Sequence, residues 1–266
     1  MELFLNGKMS DNSKKLYTHN LRKLNDGKEI TSLSFLKNTD KIMELLPKNA
    51  NTRRTYIISI VVCLKDRKGF KKQLQFWTSK MDDINKQLKD STQKTERYKD
   101  NEVSWDHILE ARDKLPKDSV EYVLMCLFTM TPCRRNLDYI MKVGHPQENS
   151  NWYDGRDFYF GQYKTKGTYN TQIVHVPTEL KTVIDHYLEV RPFKTNDLLI
   201  KKSGKPFTTK DIMMTLNKVI GKKIGVTMLR SIFLSSKYGD MMEELKHDTE
   251  AMATSVSVAQ STYIKK

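Results

Sequence analysis

The chain has 266 residues, 38% of them hydrophobic and 29% charged, and a formal net charge of +14 at pH 7. That length holds one large domain or two ordinary ones, and with no apolar run long enough to span a bilayer the expected class is soluble and globular, with no membrane partner. Cys63, Cys126 and Cys133 are odd in number and lack CxxC spacing, which argues against a disulfide framework and a zinc site and predicts buried, reduced thiols. The first residues have neither a basic segment nor a sustained apolar core, so no secretory leader and an intracellular location are expected. A charge of this size is most useful for attracting a polyanion.

In chain order, 11–24 reads as a short amphipathic helix burying Leu16, Leu21 and Leu24, closed by an Asn25-Asp26-Gly27 turn. Small helices are expected at 32–36 and 41–46, the second closed by Pro47. Asn51 is the expected N-cap of a helix over 52–64, where Tyr56, Ile57, Ile60, Val61 and Leu64 recur at helical spacing. Gly69 breaks it and another helix is expected over about 70–88. These two helices carry Arg53, Arg54, Lys65, Arg67, Lys68, Lys71, Lys72 and Lys80, with only Asp66 opposing them before Asp82. That concentration suits a phosphate backbone. Residues 1–90 are thus read as one all-helical domain, and the polar stretch 91–103 as an interdomain linker.

A second domain is expected over 104–266. Ser104 caps a helix running to about Leu115, and Asp118 with Glu121 resembles the start of a capping box. The helix over 120–130 is apolar on nearly every face, which marks it as core. It runs straight into Pro132-Cys133-Arg134-Arg135-Asn136-Leu137-Asp138, where the interior must open to a charged surface. Residues 157–163 and 171–176 read as a β-hairpin with Lys164 and Lys166 at its tip. An amphipathic helix follows over 178–190, then a short strand over 197–200. Further helices are expected at about 209–220, 227–238 and 241–252, and a last one carries Tyr263. The fold class is mostly α with a small β-sheet (α+β).

Four separated features fall in order: Arg135 after the buried helix, Lys164 or Lys166 on the hairpin tip, Arg230 in a helix, and Tyr263 in the last helix. Together they resemble the tyrosine recombinase (phage integrase) family, in its short viral or mobile-element form, over the whole chain. The family's T-G-x-R-x-x-E box resembles Pro132 to Asp138, with Arg135 as its arginine, Asp138 as the acid that holds it, and Arg134 as the competitor. H-x-L-R-S resembles Thr227-Met228-Leu229-Arg230-Ser231. L-G-H-x-S with a tyrosine nine residues past the histidine resembles Met252-Ala253-Thr254-Ser255 with Tyr263. Thr227 and Thr254 stand where the family most often has histidines. Threonine can donate a hydrogen bond to phosphate but cannot trade protons near neutral pH, and His247 is the alternative proton acceptor.

The resemblance implies a helical core-binding domain and a mixed α/β catalytic domain closing around double-stranded DNA. It implies strand breakage and rejoining through a 3′-phosphotyrosine without metal, ATP or other cofactor, with Tyr263 as nucleophile. Arg135 and Arg230 would meet the phosphate charge, and Lys164, or Lys166 as second choice, would protonate the leaving hydroxyl or support DNA binding. It further implies site-specific recombination or integration by a homotetramer assembled on DNA, in a mobile-element or viral-integration setting. Two alternatives remain: a type IB topoisomerase, and a DNA-binding relative that has lost the chemistry.

Overall fold

The computed structural model describes residues 9–90, 96–145, 149–163 and 170–264. Two compact units, Met1–Lys94 and Thr95–Lys266, divide the chain. The protein is mostly helical, with one small four-stranded mixed sheet in the second unit.

The first unit is helical throughout its described residues: α1 (Asp11–Leu24), a 3-10 turn (Ser34–Lys37), α2 (Thr39–Leu45), α3 (Ala50–Leu64) and α4 (Lys71–Asp90). Ser10 caps α1 by accepting from the Ser13 amide. The turn after α1 places Asp26 and Gly27 at positive φ, and the Gly27 amide reaches back to the Arg22 carbonyl. Leu16, expected in the core, is 46% exposed. The buried stripe of α1 runs instead through Asn20, Leu21 and Leu24, because Asn20 donates to the Ser59 hydroxyl on α3 at 3.0 Å. A satisfied polar pair can be buried where an unsatisfied one could not. The α3 N-cap is Asn49, whose side chain accepts from the Thr52 amide, and not Asn51. Leu21, Leu36, Ile57, Ile60, Leu64 and Trp77 are buried together. At roughly 1.5–3 kcal/mol for each buried apolar side chain, this core outweighs the exposed Lys41–Asp26 pair, a type worth about 0–1 kcal/mol.

The second unit begins with α5 (Glu96–Asn101), a helix lying within the stretch read as linker. Its end is tied down: Lys222 Nζ donates to the Asp100 carbonyl at 3.2 Å, and the Lys223 amide to Asn101 Oδ1 at 2.9 Å. Then come α6 (Trp105–Asp113), capped by Ser104, and α7 (Val120–Thr129), capped by the Ser119 hydroxyl rather than by Asp118. Every α7 residue from Tyr122 to Phe128 is buried. A 3-10 turn (Asn136–Tyr139) leads into β1 (Lys142–Val143), β2 (Asn151–Tyr153), β3 (Asp157–Phe160) and β4 (Gln172–His175). The strands lie in the order β1-β2-β3-β4, with β1 and β2 parallel and the others antiparallel. The hairpin expected from the sequence is β3 and β4, in register at Phe158↔Val174 and Phe160↔Gln172. The expected strand over 197–200 reduces to isolated bridges, Lys142↔Asp197 and Ile200↔Pro206.

Two helices, α8 (Thr178–Val190) and α9 (Thr209–Ile220), keep the expected bounds, and a Thr208/Asp211 capping box opens α9. The last long element departs from expectation. Instead of breaking near Gly239, residues 226–251 form one helix, α10 (Val226–Ala251), of 26 residues. Only Leu229, Ile232 and Thr249 are buried along it. Ala253 then turns at positive φ. A helical turn Val256–Val258 and a π-helical turn Ala259–Tyr263 close the described chain.

Candidate active site

The C-terminal end of α7 sets the floor of the site. Thr131 Oγ1 donates to the Leu127 carbonyl at 2.9 Å, and Cys133 Sγ to the Phe128 carbonyl at 3.0 Å. Buried Tyr139 donates to the Leu127 carbonyl and accepts from the Arg134 amide, both at 3.1 Å. These bonds satisfy the last carbonyls of a buried helix and fix the backbone from which Arg134 and Arg135 project.

Arg134 and Arg135 have opposite fates. The Arg134 Nε donates to Asp138 Oδ2 at 2.9 Å and its Nη1 to Gln172 Oε1 at 3.0 Å. Its guanidinium lies 3.8 Å from the Phe160 ring centroid and 5.4 Å from that of Tyr163. Expectation paired Asp138 with Arg135; the structure pairs it with Arg134. The reason is local. Arg135 has extended backbone and precedes the 3-10 turn, so the i,i+3 helical pairing does not arise. Asp138 is 3% exposed, and burial holds its carboxyl above the usual range although Arg134 pulls the other way. Its Oδ1 is buried without a hydrogen-bond partner.

Arg135 and Arg230 both line the resulting cavity of about 330 Å³, together with Arg134, Asp138, Phe160, Tyr163 and Gln172. Among the described residues neither the Arg135 nor the Arg230 side chain makes a hydrogen bond or ion pair, and both are partly exposed. Burial pushes the Cys133 thiol up to about 12 against the opposing charge of Arg230. That leaves Cys133 a neutral, inert wall. Two unpaired guanidiniums beside a third, fixed one form a site for an anion with several oxygens.

Of the other residues expected in the site, Thr227 is exposed one helical turn before Arg230 on α10, so the two share a face. Lys164 and Lys166 lie outside the described residues; Lys164 directly follows Tyr163 in the chain. Thr254, His247 and Tyr263 are not brought to the cavity, and none of its lining residues comes after Arg230. Tyr263 is 59% exposed, and His247 sits beside the neighbouring carboxylate of Asp248 at 3.5 Å. The Thr254 amide bonds back to the Thr249 carbonyl at 2.9 Å at the far end of α10.

Sequence reasoning passed over Phe160 and Gln172. The alternation of β3, with Phe158 and Phe160 both buried, carries the signal for the ring, while nothing in a single glutamine announces its partner. A larger cavity of about 800 Å³ lies elsewhere in this unit, among His107, Lys114, Val120, Arg191 and Lys218, and contains none of the expected site residues. Among the described residues, no group of three or more His, Cys, Asp or Glu side chains is placed to hold a metal ion.

In the first unit, Lys65, Lys68, Lys71 and Lys72 are exposed, as is Arg54, whose Nε donates to Asn85. Arg67 is partly buried. Arg53 instead serves its own loop, donating from Nε to the Pro47 carbonyl at 2.8 Å and from Nη2 to the Lys48 carbonyl at 3.3 Å.

No protein-family model matches this sequence, and no curated protein matches it. Among solved structures, the chain is similar to a crystallised lambda integrase tetramer bound to a Holliday junction. The two share 14% identity at a TM-score of 0.33, over 89% of this chain and 79% of that one.

Proposed function

We propose that this protein binds double-stranded DNA and breaks and rejoins its strands through a 3′-phosphotyrosyl intermediate, as a tyrosine-type recombinase or integrase. The observation that carries the reading is the cavity holding Arg135 and Arg230 without partners beside the fixed Arg134–Asp138 pair.

In-line attack on a phosphodiester spreads negative charge over the non-bridging oxygens. Permanently charged, planar guanidiniums meet that charge bidentately. Arg135 and Arg230 take this role, and Arg134, stacked and ion-paired, holds the wall. Water takes the proton of the Tyr263 hydroxyl as its oxygen forms a bond to phosphorus, the bond from phosphorus to the 5′ oxygen breaks, and Lys164 gives a proton to that oxygen. Thr227 donates a hydrogen bond to the phosphate from the same helix face as Arg230; Thr254 and Tyr263, which this structure leaves away from the cavity, join the phosphate in the reacting complex. The phosphotyrosyl bond keeps the energy of the broken linkage, so a 5′ hydroxyl can reverse the step. Exposed lysines of the first unit give sequence-independent phosphate contacts, and exchange between two duplexes calls for a homotetramer on DNA.

The test is a duplex nicked so that the cleaved end diffuses away. A denaturant-resistant protein–DNA adduct is expected, absent from Tyr263→Phe. DNA binding without any adduct would instead favour the binding-only relative, the reading that the remote position of Tyr263 and the two threonines support.

A further inference from the structure

At the opposite end of α7 from the arginines, the second unit holds the larger cavity of about 800 Å³. Its walls come from α6, the start of α7, the end of α8, residues 200–202 and the last turn of α9. Two of these walls are fastened across the cavity. His107 Nε2 shares a hydrogen bond of 3.0 Å with the Ile220 carbonyl, and the Ile200 amide donates to the Tyr187 hydroxyl at 3.5 Å. Leu115, Val120, Val190, Ile200 and Ile220 supply apolar lining. That lining is aliphatic apart from the Tyr187 ring, so it suits a flexible chain better than a stacked ring. A cavity of this size with an apolar lining and a few charged groups is the ordinary form of a small-molecule site.

Charge decides the class of ligand. Arg191 lines the cavity and is 6% exposed. Its Nη atoms donate to backbone carbonyls, those of Thr195, Asp197 and Leu198, while its Nε is buried without a partner. Among the described residues no carboxylate pairs with it, so a full positive charge is buried against neutral acceptors. Such a charge is costly, and a nearby anion relieves it. Four lysines join Arg191. Glu110 holds Lys114 at 3.9 Å and Asp211 holds Lys201 at 2.8 Å. Lys202 and Lys218 are exposed and make no hydrogen bond or ion pair among the described residues. The lining carboxylates are Glu110, Asp118 and Glu121. The first is engaged with Lys114, and the other two stand at the start of α7, where the helix dipole offsets their charge. The excess is cationic.

We propose that this cavity binds an aliphatic acid. Its chain lies among Leu115, Val120 and Ile220, and its anionic head is met by Lys202 and Lys218, with the buried charge of Arg191 adding attraction. The chain contributes through the apolar area it buries, and the two ammonium groups through charge-assisted hydrogen bonds. The site shares no residue with the arginine cavity, and it stands whether or not the protein cleaves DNA.

The test uses the full chain labelled with carbon-13 at the isoleucine methyls. Ile200 and Ile220 line the cavity, so they report binding there, whatever anions collect elsewhere on a chain of charge +14. Decanoate, kept below its micelle-forming concentration, is expected to shift both signals saturably and to bind more tightly than decanol or decylammonium. Replacing Lys202 and Lys218 together by glutamate is expected to weaken decanoate about ten-fold and to leave decanol unchanged. Both lysines are exposed, so the double variant should keep its fold, which its thermal unfolding midpoint checks.

No saturable shift at Ile200 and Ile220 would overturn the assignment. Equal or tighter binding of decanol or decylammonium would do the same, as would decanoate affinity unaltered in the Lys202→Glu, Lys218→Glu variant. Shifts matched by acetate at the same concentrations would also overturn it, since they would mark a site for small ions alone.

Discussion

At Arg134 and Arg135, adjacent arginines that a sequence cannot tell apart are separated by their surroundings. Arg134 is held by Asp138, Gln172 and the Phe160 ring, and Asp138 is almost wholly buried. Removing one member of a buried ion pair strands the other, so Arg134→Ala is expected to lower the unfolding free energy by roughly 3–5 kcal/mol, read from urea denaturation. Arg135 has no such partner, and Arg135→Ala should stay within about 0.5 kcal/mol of the parent while abolishing the adduct. Equal destabilisation by both would sink this division of labour. The lysine has a test of the same kind. A substrate with a sulfur at the 5′ leaving position needs no acid, so Lys164→Ala should be slow on ordinary DNA and recover on sulfur. Failure to recover would pass the role to Lys166 or to another group.

Within single elements, local chemistry with one dominant cause is plainest at the α9 capping box, a feature that sequence reasoning did not mark. Lys201 and the Thr208 hydroxyl and amide hold the Asp211 carboxyl well below its ordinary value, at about 2. A depressed folded pKa means that the stabilisation is complete above the unfolded value near 3.8 and is lost as pH falls toward 2. An NMR titration of the Asp211 carboxyl should show that midpoint, and Thr208→Ala should raise it. The bounds of α1 and α8 were legible from apolar period, with the Asn25-Asp26-Gly27 turn closing α1. What could not be read depended on partners distant in sequence. Leu16 and Asn20 exchange places because Ser59 waits on α3, β1 and β2 exist through each other and β3, and α5 is fixed by Lys222 and Lys223. The arginines of the site were visible as types, but the pairing of Asp138 with Arg134 required the 3-10 turn. The Gly239 break, strong in the sequence, is absent from α10. In a protein, helix continuity at a glycine is decided by what covers the flanking faces, and here little does.

For the whole molecule, the charge of +14 means that the proposed DNA affinity should depend on salt. Each phosphate contact contributes a slope of about −0.9 in log K against log salt. Replacing Lys65, Lys68, Lys71 and Lys72 by glutamine should flatten that slope by roughly 3 units while leaving the unfolding free energy nearly unchanged, since all four are exposed. A slope that does not move would place the DNA elsewhere than at the junction of α3 and α4. The account as a whole rests on a single covalent bond. After reaction with the nicked duplex, nuclease digestion and trypsin, mass spectrometry should find a nucleotide joined through its 3′ phosphate to the peptide His247–Lys265, in which Tyr263 is the sole tyrosine. A nucleotide attached to any other residue, or through a 5′ phosphate, would contradict the account.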